Sequence, residues 1–391
     1  MNEAAGQHGF LERLFRLTEK RTTVRTEMLA GLTTFISVAY ILFVNPNILA
    51  DAGIPKEAAI ASTIWVAALT TTMMGVFANY PVALAPGMGL NAFFTYYVVG
   101  TLHLPWQVAL GAVFFSGILF FLMTLGGLRQ AIIRAVPENL KRAIGVGIGM
   151  FIAFIGLRGT GLIIADKATY VTLGHVMNPT TLLSLFGLLL TGALMARGVK
   201  GAILIGILAV TLIGMGLGLT PIPHGIGDIM SFSLPSMKAT FGQLDLAGAW
   251  AFGIFSIIFT FTVVELFDNM GTLIGLTTKA KMVKPDGEIE NLDRALTTDA
   301  IGTMMSAVFG TSTVTSYIES ASGIAEGGRT GLTAVTVAGL FLVALIFAPL
   351  IGLVPGFATA PSLVLVGALM MSEVVNVKFS DFSDGLSAFL T

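Results

Sequence analysis

Two carboxylates lie inside one of the most apolar stretches of this chain. The stretch 250–275, WAFGIFSIIFTFTVVELFDNMGTLIG, contains Glu265 and Asp268 with Asn269 beside them, although it is long enough to cross a bilayer, which takes about 20 residues. Because residues three apart share a helix face, both acids point the same way. Each costs roughly 2.5–3.5 kcal/mol at mid-membrane. We therefore expect them to bind a polar ligand or a proton; a structural pair facing a helix end is the alternative.

The composition predicts an all-α polytopic membrane protein. The 391 residues are 55% hydrophobic and 11% charged, with a mean hydropathy of +0.87, whereas a soluble domain is about 25% charged. The chain has no cysteine, which excludes disulfides and thiolate metal sites. No metal or cofactor is expected.

Twelve apolar segments are the predicted membrane spans, and the basic residues orient them. With a cytoplasmic N-terminus, 17 of the 21 Lys and Arg residues lie on the cytoplasmic side, and Lys56, Arg158, Lys167 and Lys238 do not. This pattern predicts a multi-pass protein of the cytoplasmic membrane. The first 25 residues are polar and basic and contain no signal peptide. The segments are 28–46, 58–79, 82–100, 104–126, 143–164, 180–196, 198–219, 250–275, 296–310, 312–326, 330–354 and 359–375.

The chain contains a short internal repeat. Residues 72–74 and 303–305 are both Thr-Met-Met, and with one gap Val82 falls on Val314. By the charge pattern the two copies cross the membrane in opposite directions, which makes the alternative, a chance match, less attractive. Matching segments in inverted halves are typical of transporters, and broken spans in such positions indicate the binding site.

Both copies of the repeat lead into a broken span. Pro81 and Pro86 interrupt the first, and the polar run 311–316 interrupts the second. We expect 83–86 and 314–316 to be extended, with half-helices starting near Gly87 and near Tyr317. Their first N–H groups would lack helical partners and carry the positive end of the helix dipole. Two such helix starts facing each other would help to offset the electrostatic cost of burying the acids.

The predicted ligand-binding residues surround these helix starts. The three acids would accept N–H groups of a ligand with charge-assisted strength. Asn91 and the aromatic residues lie on the first turns of these half-helices; for Asn91 a cap-like role, and for the aromatic residues packing, is the alternative to ligand contact. Neither broken span contains Lys or Arg, so a neutral ligand is favoured over a strongly anionic one. The candidates are Glu265, Asp268, Glu319, Asn91, Gly87, Gly89, Phe93, Phe94 and Tyr317.

The same acids are candidates for proton coupling. Burial and a neighbouring acid both favour the neutral form of a carboxyl group, so Glu265, Asp268 or Glu319 can carry a proton near neutral pH. Asp299 is a further candidate, with an inter-span hydrogen bond as the alternative role. The sequence leaves open which acid titrates and whether Na⁺ replaces the proton. The four histidines lie in the tail and loops.

Four segments together resemble the nucleobase–cation symporter-2 (nucleobase–ascorbate transporter) family, in particular its AzgA-like hypoxanthine/guanine/adenine permease branch. They are GLTTFISVAYILFVNPNIL, APGMGLNAFF, FDNMGTLIG and TSYIESASGIAEGGRTGLTA. The resemblance implies fourteen spans in two inverted sets of seven, of which spans 1–4 and 8–11 form a core domain and the others a gate domain. Substrate would bind between spans 3, 8 and 10.

Transferred to this chain, the family pattern implies a division into six parts. The chain stops at 387–391, where span 13 begins, so the last two spans of the pattern are missing from it. Whether the chain is a fragment, and whether it transports, stays open. The parts are a cytoplasmic segment 1–27, core 28–126, gate 127–219, an extracytoplasmic loop 220–249, core 250–354 and gate 355–391.

The resemblance implies a transporter that takes up hypoxanthine, guanine and adenine by proton symport with alternating access. Asp268 and Thr272 are as in the purine branch; xanthine, uracil or a small anion is the alternative substrate. An enzyme is not expected, because the usual signatures of intramembrane proteases are missing, and a channel would need a longer polar path. The expected partners are a purine nucleobase, the lipid bilayer and, in a homodimer, a second copy, but no nucleic acid.

Overall fold

The computed structural model describes residues 9–126, 136–251, 254–284, 288–379 and 381–390. Its first half contains strands β1 Leu84–Pro86, β2 Ile163–Asp166 and β3 Tyr170–Leu173. Short π-helical stretches, Met74–Ala78 and Phe93–Thr101, continue the fourth and fifth helices. The helices are α1 Phe10–Phe15, α2 Val24–Val38, α3 Ile41–Asp51, α4 Lys56–Met73, α5 Met88–Ala92, α6 Trp106–Leu125, α7 Glu138–Gly159, α8 Pro179–Ala196 and α9 Ala202–Gly216.

The second half has a similar order of elements. It contains strand β4 Val314–Ser316 and 3₁₀ turns at Ile226–Asp228, Leu345–Phe347 and Ser372–Asn376. The helices are α10 Leu246–Ala251, α11 Ile254–Lys279, α12 Leu292–Phe309, α13 Ser320–Ala325, α14 Gly331–Ala344, α15 Ala348–Leu353, α16 Gly356–Met371 and α17 Phe382–Leu390.

Several helices begin where a side chain caps the first turn. The Thr23 hydroxyl accepts the N–H of Thr26 at the start of α2, and Asn178 accepts the N–H of Thr180 at the start of α8. Thr330 does the same for Leu332 in α14. Such caps satisfy N–H groups that have no partner inside the helix. The apolar sequence that follows each cap then continues as a helix.

Eight helical stretches of the described residues are long and apolar enough to cross a membrane. Each coincides with one of the twelve predicted segments. Helix α9 is apolar but shorter, and the other three segments contain α12 and the two broken spans. The chain is thus a multi-pass membrane protein, as the composition predicted.

The helices pack in two groups. Helices α7, α8, α9 and α16 pack mainly on one another, and the tightest partnership is between α7 and α16. Helices α2, α4, α6, α12 and α14 form the other group, with α12 against α6 and α14 against α2. Helix α5 lies between the groups, because it contacts α7. The exact domain boundaries stay a prediction, and the predicted cytoplasmic stretch 127–135 lies outside the described residues.

The loop 220–249 differs in detail from the prediction. Its described residues form a 3₁₀ turn, and α10 already begins at Leu246, inside the predicted loop. An antiparallel hairpin lies between α7 and α8, where β2 pairs with β3. The Asp166 carboxylate stabilises its turn by accepting the N–H groups of Ala168 and Thr169 at 2.8 and 2.9 Å. The local Asp-x-x-Thr turn therefore decides where the hairpin forms.

Candidate functional site: a strand pair between two broken spans

The two broken spans meet in an antiparallel strand pair. Strand β1 pairs with β4 in the register Leu84↔Ser316, Ala85↔Thr315 and Pro86↔Val314. The pair extends by one hydrogen bond at each end, from Gly87 N–H to the Thr313 carbonyl at 2.9 Å and from Tyr317 N–H to the Ala83 carbonyl at 3.0 Å. Non-helical backbone at membrane depth must find such partners within the protein. The extended segments were predicted, but not their pairing.

Both half-helices start directly after this strand pair, in equivalent positions. The same offset of 232 residues relates Val82 to Val314 in the repeat and Met88 to Ser320 at the starts of α5 and α13. The second half-helix begins three residues later than expected, and Glu319 is its N-cap residue. Glu319 therefore occupies the position that Gly87 occupies in the first half.

At Gly87 and Gly89 the backbone around the first half-helix start comes close to neighbouring elements. A Cβ at Gly87 would lie 2.1 Å from Cγ2 of Thr315, and one at Gly89 would lie 2.5 Å from Cγ2 of Ile148 on α7. Only glycine allows the strand pair and α7 to approach this closely. Gly87 was expected to offer its N–H to a ligand, but that N–H is bonded to Thr313. The first N–H groups of α5 itself have no partner inside the helix.

Helix α11 carries the first two acids. Glu265 is fully buried, and its Oε1 accepts the hydroxyl of Thr303 on α12, while Oε2 has no partner among the described residues. Asp268 lies one turn further on and is half-buried. The two acids interact electrostatically, as their spacing of three residues predicted. A buried carboxylate oxygen without a donor is costly, so this site favours a ligand N–H or a proton.

Hydrogen bonds of the Asn269 side chain join α11 to α12, through Asp299, and to strand β4. The Asn269 side chain donates to the buried Asp299 carboxylate, and its Oδ1 accepts the N–H of Ser316 at 2.7 Å. Asn269 thereby holds β4 against both helices. This is the inter-span hydrogen bond that was the alternative for Asp299, and its role in proton coupling stays a prediction.

Glu319 lies between two tyrosines. The hydroxyl of Tyr40, at the break between α2 and α3, donates to Glu319 Oε1 at 2.7 Å. The Tyr317 hydroxyl donates to the Pro86 carbonyl at 2.5 Å, and the two rings lie 6.4 Å apart between centroids. Tyr317 therefore ties the end of β1 to β4, while Tyr40 orients the acid.

Asn91 and Asn45 form a buried pair of side-chain amides. Its side-chain NH₂ donates to Oδ1 of Asn45 on α3, whose own NH₂ donates to Thr63 at 2.7 Å and to Thr311 at 3.1 Å. Asn91 is fully buried, and its Oδ1 has no partner among the described residues. The polar contact predicted at Asn91 is therefore available as an acceptor, and its NH₂ group has a protein partner.

The two phenylalanines that begin the π-helical continuation of α5 have different surroundings. Phe93 is half-buried; its ring stacks on Tyr97 at 5.0 Å and meets Phe261 edge-on at 5.1 Å. Phe94 is fully buried in an apolar cluster with Leu90 and Val98. Phe94 is therefore a packing residue in its surroundings, whereas part of the Phe93 side chain stays accessible. A stacking role for either stays a prediction.

Four acids form one electrostatic cluster around the strand pair. Asp268 interacts with Glu319 and Glu265, and Asp299 interacts with Glu265 and Asp268. None of them belongs to an ion pair among the described residues. Like charges so close together repel, and opposite charge, hydrogen-bond donors or protons relieve this. Other buried oxygens here also lack partners within the described chain: Ser312 Oγ, Thr313 Oγ1 and Ser316 Oγ.

Some residues of this cluster were not among the sequence candidates. Tyr40 and Asn45 lie in the first span, and Thr303 is the first residue of the second Thr-Met-Met copy of the internal repeat. Each is a polar residue in an otherwise apolar segment, which is the signal that could have identified it. Their partners Glu319, Asn91 and Glu265 are more than 35 residues away in the sequence, and sequence spacing alone does not reveal such contacts.

A family model described as the permease family matches residues 25–391. The chain belongs to this family, the nucleobase–cation symporter-2 permeases. Members of this family are transporters and not enzymes, which confirms the predicted class of protein. The residues that suggested the family, including the two broken spans, all lie within the matched region.

Two curated permeases are similar over nearly the full length of this chain. Adenine permease AdeP of Escherichia coli (strain K12) is 43% identical over 389 residues, which is 100% of this chain and 86% of AdeP. Guanine/hypoxanthine permease PbuO of Bacillus subtilis (strain 168) is 41% identical over 387 residues, which is 96% of this chain and 88% of PbuO.

The fold is similar to that of a solved transporter structure. The transmembrane domain of a cyanobacterium bicarbonate transporter, BicA, matches with a TM-score of 0.69 and 15% identity, over 94% of this permease and 93% of that chain. At this identity the likeness concerns the fold only. It confirms the predicted inverted-repeat architecture with core and gate domains.

Proposed function

We propose that this permease takes up purine nucleobases, namely hypoxanthine, guanine and adenine, across the cytoplasmic membrane by proton symport. The proposal is supported first by its relatives, whose names specify adenine in one case and guanine and hypoxanthine in the other. The observation that carries it is the group of four acids next to two half-helix starts, which hydrogen bonds from Thr303, Asn269 and Tyr40 hold around the strand pair.

The chemistry of the cluster suits a purine edge. A purine presents N–H donors beside carbonyl, ring-nitrogen or amine groups. Glu265 has one buried oxygen without a donor among the described residues, and Oε1 of Glu319 receives the Tyr40 hydroxyl. Both can accept purine N–H groups with charge-assisted strength. Asn91 adds a buried acceptor, and the first N–H groups of α5 add donors for a carbonyl.

Protonation follows from the same cluster. Four neighbouring carboxylates without a basic partner among the described residues would repel one another strongly, and binding one proton lowers this repulsion. Asp268 interacts with both Glu265 and Glu319, so its charge state affects both proposed ligand contacts. Substrate and proton would then bind together, which is the condition for symport.

Alternating access would move the core against the gate. We assign 28–126 and 250–354 to the core and 127–219 and 355–391 to the gate, with a cytoplasmic N-terminus and 220–249 outside. Since Asn91, Glu265 and Glu319 all belong to the core in this scheme, the site would move as a unit. A second copy in a homodimer would anchor the gate.

Anion transport is the less favoured alternative. A site for a small anion needs positive side chains or donors without nearby acids. Here four acids lie together and take part in no ion pair within the described chain. Xanthine and uracil are closer alternatives, because they present similar edges.

The decisive experiment is a competition panel in cells that lack their own nucleobase uptake. Cells expressing the chain are given radiolabelled hypoxanthine with an excess of unlabelled guanine, adenine, xanthine or uracil. We expect competition by the purines of the proposed set and little by uracil. Uptake that only uracil or xanthine inhibits, or no uptake at comparable membrane abundance, would contradict the proposal.

A further inference from the structure

A polar cavity of about 530 Å³ lies between the two helix groups, away from the acid cluster. Its walls come from the end of α3, the π-helical continuation of α5 and the end of α7. By the charge pattern this is the extracytoplasmic end of these helices. The residues that matter here are Asp51, Thr95, Tyr96, Thr101, Ile155 and Arg158.

The cavity is lined by an acidic and a basic side chain from different helices. The Tyr96 hydroxyl donates to Asp51 Oδ2 at 2.8 Å, so the ring and the carboxylate form one wall. Arg158 belongs to the α7 wall and interacts electrostatically with Tyr96. Although both residues are described, Arg158 and Asp51 are not among the ion pairs within 4.0 Å. A guanidinium and a carboxylate therefore face the same space without neutralising each other directly.

The lining of the cavity includes a residue on the same helix face as Asn91. Thr95 lines the cavity, is 2% exposed and has a hydroxyl without a partner among the described residues. It follows Asn91 by four residues and so lies on the same helix face. On the α7 side, Ile155 lines the cavity, while Ile148 packs about two turns away against Gly89. The contact between α5 and α7 thus separates the cavity from the site.

We propose that this cavity is an outer binding subsite for the transported molecule, a neutral planar heterocycle with adjacent acceptor and N–H groups. The Arg158 guanidinium would donate to the acceptor, the Asp51 carboxylate would accept the N–H, and the Tyr96 ring would contact the face. Arginine suits this task, because its planar fork donates in parallel and stacks on rings. The inference rests on the proposed function and adds a second recognition step to it.

The size of the cavity determines how the subsite acts. At about 530 Å³ it is several times larger than the van der Waals volume of one purine, so bound substrate shares it with water and is held weakly. Such a subsite raises the local substrate concentration above the α5–α7 contact. Its loss should therefore change KM more than the maximal rate.

The first test compares the uptake kinetics of three variants of the full chain at measured membrane abundance. Arg158→Gln should raise KM for hypoxanthine about tenfold, because it removes charge-assisted hydrogen bonds. Arg158→Lys keeps the positive charge but lacks the planar guanidinium. Its KM should lie between the KM of Arg158→Gln and that of the unmodified chain. Lys167→Gln is the matched control, since Lys167 is an exposed basic residue at the same end but outside the cavity.

The second test uses the absence of cysteine from this chain. Thr101→Cys places a single thiol at the cavity, and Lys167→Cys places one outside it. A membrane-impermeant maleimide applied to intact cells should label both. Hypoxanthine should slow the labelling of Thr101→Cys at least about threefold at saturating concentration, because a bound ring shields the thiol, and should leave Lys167→Cys unaffected.

The outcomes separate the subsite from the proposed function. If the unmodified chain takes up purines but Arg158→Gln keeps its KM, or Thr101→Cys is labelled equally with and without hypoxanthine, the subsite is wrong and the proposed function stands. A Thr101→Cys thiol that the external reagent does not reach also overturns the subsite. If the unmodified chain takes up no purine, the proposed function fails, and the subsite fails with it.

Discussion

The Tyr40 hydroxyl donates a 2.7 Å hydrogen bond to Glu319, which joins the break in the first span to the start of the second half-helix. Tyr40→Phe removes this donor and keeps the ring beside Tyr317. We expect KM for hypoxanthine to rise about five- to tenfold, since an orphaned carboxylate oxygen costs roughly 1–3 kcal/mol or finds a competing partner. Tyr97→Phe, with an exposed ring, is the control. A Tyr40→Phe variant with unchanged uptake kinetics would show that Glu319 needs no orientation.

Thr303 provides a similar test of Glu265. Its hydroxyl donates to Glu265 from the neighbouring helix, and both residues are fully buried. Thr303→Ser keeps the hydroxyl and should retain uptake, whereas Thr303→Val keeps the shape and should lower it about tenfold. The measurement is initial uptake of radiolabelled hypoxanthine, normalised to protein in the membrane. Equal loss in both variants would indicate a packing defect and not the hydrogen bond.

The close approach of Gly87 to Thr315 makes a prediction about the strand pair. A Cβ at Gly87 would lie 2.1 Å from Cγ2 of Thr315, while the next nearest Thr315 atom is 3.4 Å away. Gly87→Ala should therefore lower thermal stability in detergent and abolish uptake. Thr315→Ser removes Cγ2, so the double variant should regain much of both. Gly145→Ala is the control, because nothing lies within 4 Å of that position; if the double variant is no better than Gly87→Ala, the contact is not the cause.

An ion pair links the two groups of helices at the end that the charge pattern predicts to be cytoplasmic. Lys200, between α8 and α9, pairs with Glu326 at the end of α13. Both side chains are substantially exposed, so the pair contributes no more than about 1 kcal/mol. Lys200→Glu and Glu326→Lys should each change the uptake rate by at most about fivefold, and combining them should restore it. The effect should shrink at high salt. If the double variant shows the product of the two single effects, the residues do not interact.

The sequence predicted the parts of this site that depend on local composition. Glu265 and Asp268 stand out because acids are rare in an apolar stretch. Pro86 and the 311–316 run indicate broken spans, because proline, serine and β-branched residues are disfavoured inside a helix. The offset that aligns Val82 with Val314 also places Met88 opposite Ser320 in the repeat. These inferences need only residue types and spacing.

The parts that the sequence did not predict are contacts between distant segments. The register Leu84↔Ser316 and the bonds from Tyr40 to Glu319 and from Asn269 to Ser316 depend on how the helices pack. The start of α13 was also misplaced, because Tyr317 and Ile318 can adopt either extended or helical backbone. The backbone N–H of Tyr317 donates to the Ala83 carbonyl, which keeps Tyr317 next to the strand pair. Local preference was weak here, so a tertiary contact determined where the helix starts.

The account depends most on coupling between the acid cluster and nucleobase uptake, and proteoliposomes test this directly. Purified chain is reconstituted, an inward proton gradient is imposed and accumulation of radiolabelled hypoxanthine is measured with and without an uncoupler. We predict gradient-dependent accumulation in the unmodified chain and its loss in Asp268→Asn and Glu319→Gln. The account would be contradicted if the uncoupler did not reduce accumulation. It would also be contradicted if both variants kept accumulation with unchanged competition by adenine and guanine.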